Sequence, residues 1–107
     1  IDDLMNRPNQ YNFSPIAVRG YLSCFLNMHL FPTKDAAELG GSMHVRISQD
    51  GGGAIWDNCC ESYVQVTGTF QVTSDLADVI APVSKVETTQ IDSGNRHSQS
   101  VCWIASN

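Results

Sequence analysis

Four cysteines, Cys24, Cys59, Cys60 and Cys102, are the side chains best suited to chemistry in this 107-residue chain. An even count in a small domain points to disulfides and an oxidising compartment; the alternative is buried free thiols in a cytoplasmic protein. Cys59 and Cys60 are adjacent, and a bridge between neighbours is strained, since disulfides prefer Cα atoms about 4.4–6.8 Å apart. Excluding it leaves two of the three connectivities open to four cysteines. There is no Cys-x-x-Cys motif, so the thiols read as structural instead of redox-active. The three histidines, His29, His44 and His97, show neither the helical i, i+4 spacing nor the His-x-His strand spacing of a metal site. They read as scattered surface residues. Gly51-Gly52-Gly53 lacks the Lys-Ser/Thr of a phosphate-binding loop and follows Asp50, which makes it a hairpin connection. The expectation is therefore a chain with no catalytic, cofactor or metal residues.

Composition narrows the partners. Eleven acidic and six basic residues give a net charge of −5, and the bases (Arg7, Arg19, Lys34, Arg46, Lys85, Arg96) form no run. A phosphate backbone is bound mainly through Lys and Arg, so nucleic acid is a poor expected partner. No apolar stretch approaches the roughly 20 residues that span a bilayer. The apolar fraction of 42% supports a core without a metal. The chain opens on Ile1 instead of Met, which reads as a processed or trimmed form, so a missing leader carries no weight.

The elements that must position these side chains are mostly strands. Val64, Val66, Phe70 and Val72 alternate with Tyr63, Gln65, Thr67, Thr69 and Gln71, the period of a strand with one dry and one wet face. Val18-Arg19-Gly20-Tyr21-Leu22 repeats the pattern, with Ile16, Val18, Leu22 and Cys24 on the inner face. A glycine in each strand marks a bend or bulge. Residues 1–7 are helix-like, with Asp2 and Asp3 at the N-terminal end and Pro8 as the stop. Strands are expected over 16–25, 28–31, 43–48, 63–72 and 79–87. Thr33 is placed to cap a helical turn closed by Gly40-Gly41. Residues 54–60 are ambiguous between a short helix and a strand end, Thr73-Ser74-Asp75 reads as a turn, and Pro82 implies an edge or a bulge. Residues 88–100 read as a polar loop before a last apolar strand or anchor at 101–104.

Five short strands, the first and fourth bent, fit a mainly β, OB-like five-strand Greek-key barrel with a short N-terminal helix and one or two helical turns. Pro8-Asn9-Gln10-Tyr11, Val18-Arg19-Gly20-Tyr21-Leu22 and Tyr63-Val64-Gln65-Val66-Thr67-Gly68-Thr69-Phe70 carry a resemblance. The stretch 4–86 resembles a group of small, mostly uncharacterised bacterial OB-fold proteins, many of them exported. The resemblance implies the barrel and an exported setting. Asn12 stands where that group turns on glycine, and the tail bearing Cys102 has no counterpart in it. The whole chain, 1–107, reads as one domain, with a barrel over 1–87 and a tail over 88–107 docked on it.

That topology bears on the cysteines. The first and fourth strands of such a barrel pair antiparallel, so Cys24 lies near Cys60, and both share the inner parity. Cys59 is then left for Cys102. A bulge near Glu61-Ser62 would reverse the parity and swap the partners. Tyr21 and Tyr63 fall on the outer face of two adjacent strands. They form either a stacking platform for bases or a bed for a packed helix or tail, and the scarcity of basic neighbours favours packing. Asp92, Asn95, Arg96 and His97 lie in the polar part of the tail, which reads as an exposed recognition turn. The function that fits is a non-enzymatic, periplasmic or secreted binding protein. Its partner would be a protein, a peptide or an envelope component, and an immunity-type or accessory protein is one concrete form. The alternatives are a single-strand nucleic-acid-binding barrel and a small cysteine-dependent enzyme or redox protein.

Overall fold

Alternating apolar residues set the two longest walls of the molecule. A computed structural model describes residues 8–24, 28–40, 44–48, 53–72, 78–91 and 97–105. A 3₁₀ turn at Pro8–Tyr11 leads into β1 (Pro15–Ser23) and β2 (His29–Phe31). Helix α1 (Lys34–Glu38), β3 (Val45–Ile47) and helix α2 (Gly53–Cys59) follow. The chain then runs through β4 (Ser62–Gln71), β5 (Val79–Ile91) and β6 (His97–Ile104). The sheet order is β3-β2-β1-β4-β5-β6, and a parallel β3–β5 pairing closes the first five strands into a barrel. This is the OB-like arrangement, with a helix between the third and fourth strands.

β1 and β4 pair antiparallel, with Val18 opposite Val66 and Tyr21 opposite Tyr63. Their inner side chains, Val18, Leu22, Val64, Val66 and Phe70, meet Leu30, Val45, Ile80, Val83 and Val86 in one core. Both mid-strand glycines are required by close approach. A Cβ on Gly20 would collide with the Phe31 carbonyl oxygen, and one on Gly68 would stand 2.5 Å from the Pro82 oxygen and 2.7 Å from Ile80 Cγ2. The β4–β5 register shifts on both sides of Gly68, with the extra residue on β5 each time, so β5 bulges there, around Pro82. The bulge is what admits proline, since β5 is an interior strand.

The short elements follow local chemistry. Thr33 Oγ1 accepts a hydrogen bond from the Ala36 amide and caps α1. Gly40, at φ +67°, follows its end. The ambiguous segment before β4 is helical, and it buries Ile55 and Cys59 against the core. Where a glycine would ease the turn into β1, Phe13 takes φ +62° instead, and Asn12 Oδ1 accepts from the Val72 amide at 2.9 Å.

Two expectations are corrected. β5 does not stop at Glu87 but runs to Ile91, and β6 begins at His97, so the segment expected to be a loop is largely a hairpin. Thr88, Thr89 and Ile91 are β-branched residues suited to a strand, and their polar surroundings masked them. The first strand ends at Ser23 instead of Phe25. The expected N-terminal helix (1–7), the turn at 73–75 and Gly51-Gly52 lie outside the described residues.

Candidate interaction surface

The two bridges come first, because they fix everything around them. Cys24 is joined to Cys60 and Cys59 to Cys102, with Cα separations of 5.8 and 5.7 Å. Antiparallel pairing of β1 with β4 carries Cys24 to the start of β4, beside Cys60. Cys59 is the last residue of α2 and is buried, so the second bridge pins β6 to that helix. Among the described residues no cysteine is free. Cys102 and Trp103 are half-buried and pack against the core from β6.

Tyr21 and Tyr63 meet edge to face on the outer wall, with ring centroids 5.2 Å apart. Their environments differ. Tyr21 is only 6% exposed, whereas Tyr63 is 44% exposed. The Tyr21 hydroxyl donates to Glu61 Oε2 at 3.0 Å, while Glu61 Oε1 accepts from the Cys24 amide at 3.0 Å. The Tyr63 hydroxyl accepts from the Lys34 amide at 3.0 Å, at the start of α1. The pair is therefore the bed on which α1 rests, and Tyr21 has little surface left to offer a partner. Burial, the bond to Glu61 and the carboxylates of Glu61 and Glu38 push the Tyr21 phenol above its ordinary value. Sequence reading missed Glu61. The sequence shows only an acidic residue immediately after the paired cysteines, and the structure turns it back at φ +57°.

Farther along the same outer wall the groups are polar and mutually engaged. Arg19 Nε donates to Gln65 Oε1 at 2.9 Å, and Gln99 Nε2 donates to the same oxygen at 3.2 Å. Lys85 pairs with Glu87 at 3.3 Å. No basic cluster stands beside the tyrosines among these contacts.

The β5–β6 hairpin is the most open feature. Among the described strands, β6 pairs with β5 alone. Val101 and Ile104 sit opposite Glu87 and Lys85, and they are 53% and 63% exposed. The described β4–β5 pairs end at Val64 and Thr88, yet β5 and β6 stay paired out to Ile91 and His97. The hairpin thus continues as a two-strand arm beyond those pairs. Asp92, Asn95 and Arg96 lie outside the described residues. His97 opens β6 instead of sitting in a loop.

The histidines are not all scattered. His29 on β2 and His44 beside β3 have ring centroids 4.8 Å apart, and Phe31 lies 5.2 Å from His44. The β2–β3 pairing, which joins residues far apart in sequence, brings them together. No group of three or more metal-ligating side chains occurs among the described residues, and no helix is long and apolar enough to cross a membrane.

No protein-family model, curated protein or solved structure matches this chain. The functional reading therefore rests on the geometry alone.

Proposed function

We propose that this protein is a non-enzymatic binding module that works in an oxidising setting outside the cytoplasm, in the periplasm or secreted, and engages another protein. The observation that carries the reading is β6 where it lies along the barrel's β5. It is the described edge strand tied to α2 by the Cys59–Cys102 bridge, with Val101 and Ile104 presented to solvent. Exposed apolar side chains on an edge strand suit protein recognition, because the strand adds unpaired backbone groups to the apolar contact. His97–Ile104 carries no Lys, Arg, Asp, Glu or Pro to blunt the edge. A net charge of −5 favours a basic partner and speeds the encounter. An immunity-type or accessory protein of a bacterial envelope is the concrete form of this reading.

The nucleic-acid reading needs basic potential beside Tyr21 and Tyr63. Carboxylates act there instead, and Tyr21 is covered. The cysteine-enzyme reading needs a thiolate, and both bridges consume the thiols.

The test is affinity capture from envelope and secreted fractions of the source organism, using the wild type and the double variant Val101→Asp/Ile104→Asp. A partner retained by the wild type and lost by the folded variant is the expected result. A partner held equally by both would move the site off this face of β6.

A further inference from the structure

We infer that Arg46 is the centre of a binding site for one small oxyanion, a carboxylate or phosphate group, on the outer wall formed by β2 and β3. The starting point is a donor. Arg46 Nε is buried and has no hydrogen-bond partner among the described residues. A guanidinium keeps its proton, and a buried donor left unbonded is costly, so an acceptor belongs there. Other bases of the molecule are satisfied within it: Arg19 bonds Gln65, and Lys85 pairs with Glu87.

The strand pattern builds the rest of the site. β3 alternates, so Val45 and Ile47 enter the core and Arg46 points outward, half-buried. His29 stands directly opposite Arg46 on β2. His44 lies two residues before Arg46 and shares its face. The two rings meet edge to face at 4.8 Å, and Phe31 lies 5.2 Å from His44. On the other side Arg46 pairs with Val79, which is 8% exposed. Both histidines have interactions of their own. They wall the site, and Arg46 supplies the fork. The backbone beneath it is pinned from both sides: the Arg46 amide donates to the Asp78 carbonyl oxygen at 2.8 Å, and the Ile47 amide to that of Met28 at 2.9 Å. A guanidinium beside two imidazoles attracts an oxyanion, and two of its oxygens match adjacent N–H groups of the fork. The apolar flanks, Phe31 and Val79, strengthen such charge-assisted bonds. One fork takes one such group, whereas a nucleic-acid backbone needs several. The site is separate from the β6 face, since β3 meets β5 at Val79 and Ile80 and β6 meets it from Lys85 to Ile91.

Titration of the intact, oxidised protein with sodium acetate and, separately, sodium phosphate tests the inference, with sodium chloride at matched ionic strength as the reference. The readout is NMR of the Arg46 Nε–H group and of the imidazole carbon-bound protons. The expected result is a saturable shift of the Arg46 signal, with a Kd of about 10 mM or tighter in at least one of the two salts. The His44 signals should move with it, and chloride should give no saturation. Saturation by acetate alone would assign a carboxylate, and by phosphate alone a phosphate group. Arg46→Gln should weaken binding by about tenfold or more, the worth of a charge-assisted hydrogen bond. Arg46→Lys should restore only part of it, since an ammonium lacks the fork. Lys85→Gln should leave it unchanged. The site is overturned if neither salt saturates, if chloride gives the same response, or if Arg46→Gln binds like the wild type. It is also overturned if Asp78→Asn alone shifts the Arg46 signal, which would make a carboxylate of the chain itself the partner. The wild-type titration decides the question even where a variant folds poorly.

Discussion

Gly68 shows how a single missing side chain shapes this barrel. An added Cβ would meet the Pro82 oxygen at 2.5 Å and the Val83 Cα at 3.1 Å, both backbone atoms of β5 that have no rotamer to yield. Gly68→Val should therefore lower stability by about 1–3 kcal/mol, the usual cost of overpacking. An unchanged urea midpoint would refute the close approach. The mid-strand glycine is legible in the sequence as a break in an alternating strand, but the atom it must avoid is not, because that atom belongs to a segment 14 residues away. Tyr21 gives the second prediction at this scale. Its phenol is raised by burial and by Glu61, with an ordinary value of 10.0. Below that value the phenol is neutral in both states, and its contribution is fully present. As pH rises toward the folded value, the unfolded chain releases the proton first, so stability falls. Tyr21→Phe should cost about 1 kcal/mol near neutral pH through loss of the hydrogen bond. It should also flatten the loss of stability between about pH 8 and about pH 11. Urea midpoints at the two pH values check both parts, and an equal alkaline slope in the variant would contradict the assignment.

Among the elements, β6 stands apart. It adds to a barrel that β3 and β5 have already closed, and it is held by the β5 ladder and by one bridge. That bridge joins residues separated by 43 positions. Closing a loop of this length is worth about 4 kcal/mol on the chain-entropy estimate. The Cys59→Ser/Cys102→Ser variant should lose a large part of that in a urea melt. Its β6 amides should also exchange faster than those of β1 and β4. Exchange in β6 as slow as in the wild type would mean that the ladder alone fixes the strand. The long strands could be read from the chain because period two is local. The same parity, once β1 was set against β4, brought Cys24 to the paired cysteines and left the choice between Cys60 and the swapped partner Cys59 to the turn at Glu61. The extent of the hairpin could not be read, because Thr88, Thr89 and Gln99 resemble loop residues until a partner strand is present. The proximity of His29 and His44 was equally hidden, since it depends on a pairing between two three-residue strands separated by a helix.

For the molecule as a whole, charge and surface chemistry act in the same direction. The barrel is of a kind that holds single strands by stacking bases on exposed aromatics within a basic groove. On its β1–β4 wall the described residues offer one exposed aromatic, Tyr63, and no basic groove beside it. Tyr21 is covered, Glu61 and Glu38 act on its phenol, Arg19 bonds Gln65, and Lys85 is paired with Glu87. The net charge of −5 adds a repulsive field at longer range. Non-specific affinity for nucleic acid comes almost entirely from counterion release by Lys and Arg. Labelled single-stranded DNA and RNA should therefore show no anisotropy change at about 0.15 M salt, with no recovery of binding as salt is lowered moderately. Binding of a basic protein partner should show the opposite sensitivity, with association slowing as salt rises. Micromolar binding of a single strand that weakens steeply with salt would overturn the protein-binding reading and promote the nucleic-acid one. Such a result would require a basic surface that the described residues do not form, so the next step would be substitution of Arg7 and Arg96, the two arginines outside them.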